Sequence, residues 1–396
     1  MQEFRNKIAG LCCFNVKDDP VLQGFKKLFA DSAEESFEGY AQIVGTVLSS
    51  GKTLAEYFHD MLIFSDSPIV NEFALGKTST QDHFFLRKDA IKYDLEVLHS
   101  LCEETAAQIQ IRLNTFYDTL DFGKMPLYDN GVFDYTPEYF LEYIRTNGSG
   151  MFARYKAFTF DGALHPIEAP DKIKLADLKT YEAQRKQVVD NTVCFLAGKP
   201  AQNVLLYGDR GTGKSSTVKA IMNESKYLRM VEVAKNDIAA LPELFRMLKE
   251  IPLHFIVMID DLTFAENDDR FGILKGVLEG SLSAKPDNIL IYATTNRRKI
   301  IRETAADREI AGADAIDESM SLSDRFGLIV TFMKPDKQVY LDIVRQLAAD
   351  KGIELPEDDL FAAAERFALK RGGRSPRTAR QFIDWLDGRI SLGLGY

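Results

Sequence analysis

Apolar positions along the 396-residue chain change rhythm near residue 175. From Val21 to about Arg145 they recur at helical spacing: Phe37, Tyr40, Val44 and Val47 make one stripe, and Leu95, Leu98, Cys102, Ile109 and Phe116 another, both expected to face a core. Thr136-Pro137 joins an N-cap to a first-turn proline and predicts a helix to about Thr146, stopped by Gly148-Ser149-Gly150. Met151 to Phe160 alternates partly like a strand, and Pro166 and Pro170 mark an extended connector. After Lys174, helical and strand patterns alternate, which predicts a parallel sheet with helices on its faces. A helix is expected over Ala176–Leu196, and strands over Val204–Tyr207, Arg229–Val233, Phe255–Ile259, Ile289–Thr294 and Leu328–Phe332. Beyond Pro335, the stretches Val339–Ala349, Asp358–Lys370 and Thr378–Ile390 read as a small helical domain. The expected fold class is therefore α/β: a five-stranded parallel sheet with helices on both faces (175–334), a helical lid (335–396), a mainly helical N-terminal domain (1–150) and a connector (151–174).

Composition narrows the function classes. A hydrophobic share of 45% with 11% aromatics fits a large packed core, and a net charge of −10 argues against a nucleic-acid coat protein or a polybasic membrane binder. The densest basic stretch is Arg366, Lys370, Arg371, Arg374, Arg377 and Arg380; it serves a nucleotide and an acidic interface, or touches nucleic acid or an acidic partner. Cys12, Cys13, Cys102 and Cys194 show no C-x-x-C spacing, so reduced thiols are expected. His59, His83, His99, His165 and His254 lack metal-ligand spacing. No segment approaches the roughly 20 apolar residues of a membrane span, and a cytoplasmic location is expected.

The chemistry lies in Gly208-Asp209-Arg210-Gly211-Thr212-Gly213-Lys214-Ser215, which follows the predicted strand at Val204–Tyr207 and opens a helix. Such a pattern arises by chance in about one chain in a hundred of this length. The three glycines free the backbone to turn successive N–H groups toward phosphate oxygens, and the helix start adds its positive dipole end. Lys214 can reach the β- and γ-phosphates, Ser215 offers a hydroxyl to Mg²⁺, and Ser216 extends the run. A second apolar strand ends in Asp260-Asp261. Asp260 is placed to hold Mg²⁺, and Asp261 to orient the attacking water. ATP and Mg²⁺ are the expected ligands.

With both motifs in place, the chain resembles the AAA+ P-loop ATPases over about residues 175 to 390. The resemblance implies hydrolysis of ATP to ADP and phosphate at sites shared between subunits of a homo-oligomer. Ile291 to Arg297 looks like the sensor 1 region, with Asn296 as first choice and Thr295 second; Ser321 to Gly327 is similar to the box VII segment, which makes Arg325 the arginine finger acting in trans. Gly372 to Arg380 looks like the sensor 2 turn, with Arg377 first and Arg374 or Arg380 as alternates. Asn203–Gly208, the loop through Ser216, Lys285-Pro286-Asp287-Asn288 and Ser321–Gly327 together resemble a bacterial AAA+ family catalogued only as a domain of unknown function.

Two departures qualify the likeness. Asp261 stands where the family's motors commonly carry glutamate, one methylene longer, which implies slow hydrolysis. Ala234 to Leu248 lacks the aromatic-apolar-glycine loop of threading unfoldases; Phe271-Gly272 lies after the acidic pair instead. Ala305 to Ser319 reads as a surface insertion. Three functions fit: an ATPase that remodels or loads an unknown protein or nucleic acid through its N-terminal domain, a nucleotide-gated switch or scaffold with little turnover, and a nucleic-acid loader.

Overall fold

A computed structural model describes residues 3–65, 67, 69–70, 72, 81–117, 120–265, 268–279, 286–296, 301–302 and 325–394. They divide into two compact units, Met1–Tyr155 with Glu250–Leu253, and Lys156–Lys249 with His254–Tyr396.

The first unit carries helices α1 (Glu3–Ala9), α2 (Pro20–Lys27), α3 (Ala33–Ser50), α4 (Leu54–Phe64), α5 (Gln81–Glu103), α6 (Ala106–Phe116), α7 (Pro137–Asn147) and α8 (Met151–Arg154). Tyr40, Val44, Val47, Leu95, Leu98, Cys102 and Ile109 are buried as their spacing predicts, whereas Phe116 is 44% exposed. The second stripe spans two helices, since α5 ends at Glu103 and the Thr105–Gln108 capping box starts α6. Helices α2 and α3 cross where Gly24 meets Gly39, and a Cβ on Gly24 would lie 2.8 Å from the Gly39 carbonyl oxygen. Helix α7 starts on Thr136, whose hydroxyl accepts from Tyr139 N, and ends at Gly148 with φ of 80°. The Asp94 carboxylate is buried and accepts the backbone N–H groups of Cys12, Cys13 and Phe14. Burial and the neighbouring Asp94 push both thiols up, Cys13 to about 12, so this trio is a chain clamp whose carboxylate is already engaged.

The second unit holds β1 (Ala157–Phe160), β2 (Leu164–Pro166), α9 (Glu182–Leu196), β3 (Val204–Gly208), α10 (Lys214–Glu224), β4 (Leu228–Val233), α11 (Leu241–Leu248), β5 (His254–Ile259), β6 (Phe264–Ala265), α12 (Asp269–Glu279), β7 (Ile289–Thr295), β8 (Ile301–Arg302), β9 (Leu328–Phe332), α13 (Lys337–Asp350), α14 (Glu357–Lys370) and α15 (Pro376–Ser391). Its main sheet runs β2-β1-β4-β5-β7-β3-β9 and is parallel except for β2. The α/β class holds, but the sheet has seven strands, not five. The two additional strands come from residues 157–166: β1 pairs with the exposed rim of β4, and β2 folds back on β1, which covers an edge that would otherwise present unpaired N–H and C=O groups.

Side chains on both faces of the central strands are buried, as a parallel sheet clad in helices requires. Alternate residues such as Val204, Leu206, Ile256, Met258, Leu290 and Tyr292 pack with Val188 and Phe195 of α9 and with Val218 and Met222 of α10. The helix expected over Ala176–Leu196 begins only at Glu182, because Thr180 and Tyr181 take left-handed φ values of 64° and 62°. Tyr181 then packs its ring against Phe332, centroids 5.3 Å apart and planes tilted by 48°, and donates its hydroxyl to the Met333 carbonyl at 2.5 Å. Helices α13 to α15 share their own core around Tyr340, Val344, Ala364, Phe382 and Leu386. Among the described residues no helix is long and apolar enough to cross a membrane. Arg297, Lys285, Ala305 to Ser319 and Ser321 to Asp324 lie outside the described residues.

Candidate functional site

The loop after β3 has its shape because β9 passes against it. Gly208 has φ of 141°, and a Cβ there would fall 2.0 Å from the Phe332 carbonyl oxygen; only glycine fits this crossing. Asp209 reinforces it, donating its N–H to Phe332 O at 3.1 Å and accepting Lys334 N–H on its carboxylate at 2.8 Å. Thr212 donates its hydroxyl to Asp209 O at 2.8 Å. Gly213, with φ of 93°, is the N-cap of α10 and offers no side chain to the helix start, whose N–H groups stay available to an anion.

Lys214 is 6% exposed and fully partnered. Its ammonium donates to Gly208 O at 2.8 Å, Asp209 O at 2.8 Å and Asn296 Oδ1 at 2.9 Å. Three donors meet three acceptors. Burial pushes its pKa below the usual lysine range, while Asp260, Asp209 and Asp261 pull the other way. The other end of the Asn296 amide donates to Asp261 Oδ1 at 2.7 Å. Because an ammonium only donates and a carboxylate only accepts, that amide orientation is the one both neighbours require. Asn296 therefore joins the loop lysine to the second acidic residue.

Asp260 follows β5. Its Oδ1 accepts the Ser215 hydroxyl at 2.6 Å and also the Thr294 hydroxyl, while Thr294 Oγ1 accepts Asp261 N–H at 3.0 Å. Ser215 and Asp260 thus present adjacent oxygen donors of the kind a hard divalent cation selects. Asp261 is exposed and sits at φ of 51°, a left-handed conformation rare for a residue with a side chain.

Loop residues 210–216, Asp260, Asp261, Asn296 and Arg377 line one cleft of about 520 Å³. Gly208 and Asp209 brace it from behind. Helix α15 meets the loop directly, since Arg377 N–H donates to Gly211 O at 3.1 Å. The alternates separate: Arg374 forks onto Glu365 at 2.9 and 2.7 Å, and Arg380 donates to Asp177 O at 2.7 Å from the cleft rim. Thr295 is buried and does not line the cleft. Arg325 lies just before β9, the outermost strand on that side of the sheet, and is not among the residues lining its own chain's cleft.

Several cleft residues were not singled out in the sequence. Thr294, within the Ile291–Arg297 segment, is one, its hydroxyl linking both aspartates. The others form the cleft's apolar end: Ile173, Leu178 and Tyr181 before α9, and Ile343 and Leu347 on α13. Tyr181 reaches the cleft on a left-handed backbone that it shares with Thr180, a conformation no glycine announces.

A family model described as "Protein of unknown function (DUF815)" matches residues 151–390. Among solved structures, the chain is similar to the Thermotoga maritima RuvB Holliday junction branch migration motor, with TM-score 0.39 and 16% identity over 56% of this chain and 66% of that one, slightly under two thirds of the motor's length. A variant of the same motor gives TM-score 0.38 and 17% identity over 57% and 67% of the two chains. No curated protein matches.

Proposed function

The chain belongs to the family described as protein of unknown function (DUF815), and we propose that it is a member that binds ATP with Mg²⁺ in this cleft and hydrolyses it, in the manner of AAA+ ATPases. The observation that carries the reading is the unbroken chain Lys214–Asn296–Asp261 beside the Ser215–Asp260 pair. In this reading the loop N–H groups and Lys214 take the β- and γ-phosphates, and Arg377 approaches them from α15. Ser215 and Asp260 hold Mg²⁺, which when bound neutralises charge on the transferring phosphoryl group. Asp261 accepts a proton from water positioned with Asn296. The apolar end around Ile173, Leu178, Tyr181 and Ile343 takes the base.

Subunit assembly is part of the same proposal. Arg325 lies outside its own cleft, next to an outer strand, and this supports a finger that completes a neighbour's site in a homo-oligomer. The first unit then serves as adaptor for an unidentified protein or nucleic acid. A steady-state ATPase assay across protein concentrations tests the reading. Lys214→Ala abolishes nucleotide binding, Asp261→Asn keeps binding and stops turnover, and Arg325→Ala loses the rise in specific activity with concentration. Full activity in Arg325→Ala, independent of concentration, would refute the shared site. One observation favours the alternative of a nucleotide-gated switch: the Asp261 carboxylate is already engaged, accepting the Asn296 amide N–H at 2.7 Å. Binding without multiple turnovers at any concentration would select that alternative.

A further inference from the structure

The basic stretch near the C-terminus divides in two. Arg374 and Arg380 turn inward to Glu365 and Asp177, and Arg377 lines the cleft. Arg366, Lys370 and Arg371 remain exposed at the end of α14, and among the described residues none has a carboxylate within ion-pair distance. Three acids of α14 and α15 are already engaged: Glu365 by Arg374, and Asp384 and Asp387 by Lys351 at 3.7 and 3.0 Å.

Beside these cations lies an aromatic ladder. The Arg371 guanidinium sits 5.4 Å from the Phe367 ring centre, Phe367 lies 5.7 Å from Trp385, and the Arg389 guanidinium sits 5.2 Å from Trp385. Trp385 is 40% exposed, and Leu369 beside the ladder is 80% exposed. None of Arg371, Phe367, Trp385 or Arg389 lines the nucleotide cleft.

We propose that this outer face of α14 and α15, built from Arg371, Phe367, Trp385 and Arg389 with Lys370 and Arg366 at its rim, binds single-stranded nucleic acid. Such a strand alternates a π-face with a negative charge, and the ladder alternates rings with cations, so each half of the ligand has a counterpart. An acidic peptide satisfies the arginines but gains nothing from the exposed ring of Trp385. Duplex DNA offers phosphates but keeps its base faces stacked away from a ring. The net charge of −10 does not oppose the contact, since at physiological salt a phosphate beyond about 8 Å from a charge is screened from it.

Trp385 is the chain's single tryptophan, so its fluorescence reports on this face alone. The full chain is titrated with oligothymidylate of about 16 nucleotides, with polyglutamate of equal charge, and with Mg²⁺-ATP. The expected result is quenching by oligothymidylate, with log affinity falling against log salt at a slope of about −2, three phosphates neutralised at roughly 0.7 each. Polyglutamate quenches little, and Lys214→Ala leaves the oligothymidylate titration intact, separating this face from the phosphate loop. By anisotropy of a labelled strand, Lys370→Glu/Arg371→Glu weakens binding about tenfold or more through charge reversal at exposed positions, and Trp385→Ala weakens it about tenfold through lost stacking. Circular dichroism confirms that each variant is folded; if Trp385→Ala unfolds the lid, the charge-reversal pair decides. Absence of quenching, equal or stronger quenching by polyglutamate, or wild-type affinity in the charge-reversal pair overturns the proposal.

Discussion

Replacing Asn296 in two ways separates its chemistry from its bulk. The side chain makes two bonds of opposite polarity, accepting from Lys214 at 2.9 Å and donating to Asp261 at 2.7 Å. Asn296→Ala removes both. The bond to a buried ammonium contributes about 1.5–3 kcal/mol and the more exposed one about 1 kcal/mol. If both strengthen only in the transition state, kcat falls by about 10² to 10³, at 1.36 kcal/mol per decade, with KM little changed. Asn296→Asp keeps the shape and the acceptor for Lys214 but places a carboxylate where the donor to Asp261 stood. Two carboxylates at hydrogen-bond distance cannot both ionise without one pKa rising. The added negative charge also faces an incoming triphosphate. The isosteric variant is therefore expected to be the worse enzyme, in both KM and kcat, and the gap between the two variants narrows as pH falls and the pair takes up a shared proton. Steady-state ATPase kinetics at several pH values measure this. An Asn296→Asp enzyme at least as active as Asn296→Ala at neutral pH would show that bond polarity at this position does not matter.

Gly208→Ala forces a Cβ to within 2.0 Å of Phe332 O at a φ of 141°; strain and overpacking together predict a loss of about 3–5 kcal/mol, read as a lower urea midpoint, and a wild-type midpoint would mean that β9 yields easily. Arg374→Ala breaks the Glu365 fork and lowers the lid's thermal stability while leaving nucleotide affinity near wild type; Arg377→Ala does the reverse, and a calorimetric titration of both distinguishes them. The Asp268 carboxylate, held by Arg270 and Lys235, has its pKa lowered from 3.8 to about 2. Its folded value lies below its unfolded one, so its stabilisation is complete above about pH 4 and disappears as pH falls through about 2. Asp268→Asn should accordingly lower the unfolding midpoint at neutral pH, with a difference that shrinks below pH 4; a difference that grows on acidification would refute the assignment.

The parallel strands were legible because each is a short apolar run closed by a turn, and burial on both faces leaves no other pattern for such runs to adopt. Their observed limits, such as Val204–Gly208 and His254–Ile259, fall within a residue of those read from the pattern. The lid helices were equally plain, because Pro376 and a Ser375 cap mark one of them directly. What the pattern could not supply was pairing. Met151–Phe160 alternates only partly like a strand; its first residues form the helix Met151–Arg154 instead, and the open rim of β4 makes a strand of Ala157–Phe160. Likewise Ala176–Leu196 has the composition of a single helix; its first residues are diverted because Tyr181 gains a ring partner in Phe332 and an acceptor in Met333, contacts some 150 residues away.

That diversion decides how much of the cleft a motif can reveal. The proposed phosphate cradle is written locally, since a loop of successive N–H groups needs glycines at fixed intervals and a lysine behind them, and Gly208, Gly211, Gly213 and Lys214 stand in that order along the chain. The apolar end is assembled from Ile173, Leu178 and Tyr181 on one side and Ile343 and Leu347 on the other. Its requirement is for apolar surface at a given place, which several side chains can meet, so no fixed residue order follows. Tyr181 links the two ends, because its hydroxyl is bound to Met333 at the exit of β9, one residue from the Lys334 N–H that Asp209 holds. In the proposed reading, a base lying against Tyr181 and a phosphate resting in the loop would therefore bear on the same stretch of chain between β9 and α13. The lid helices begin there, with α13 starting at Lys337.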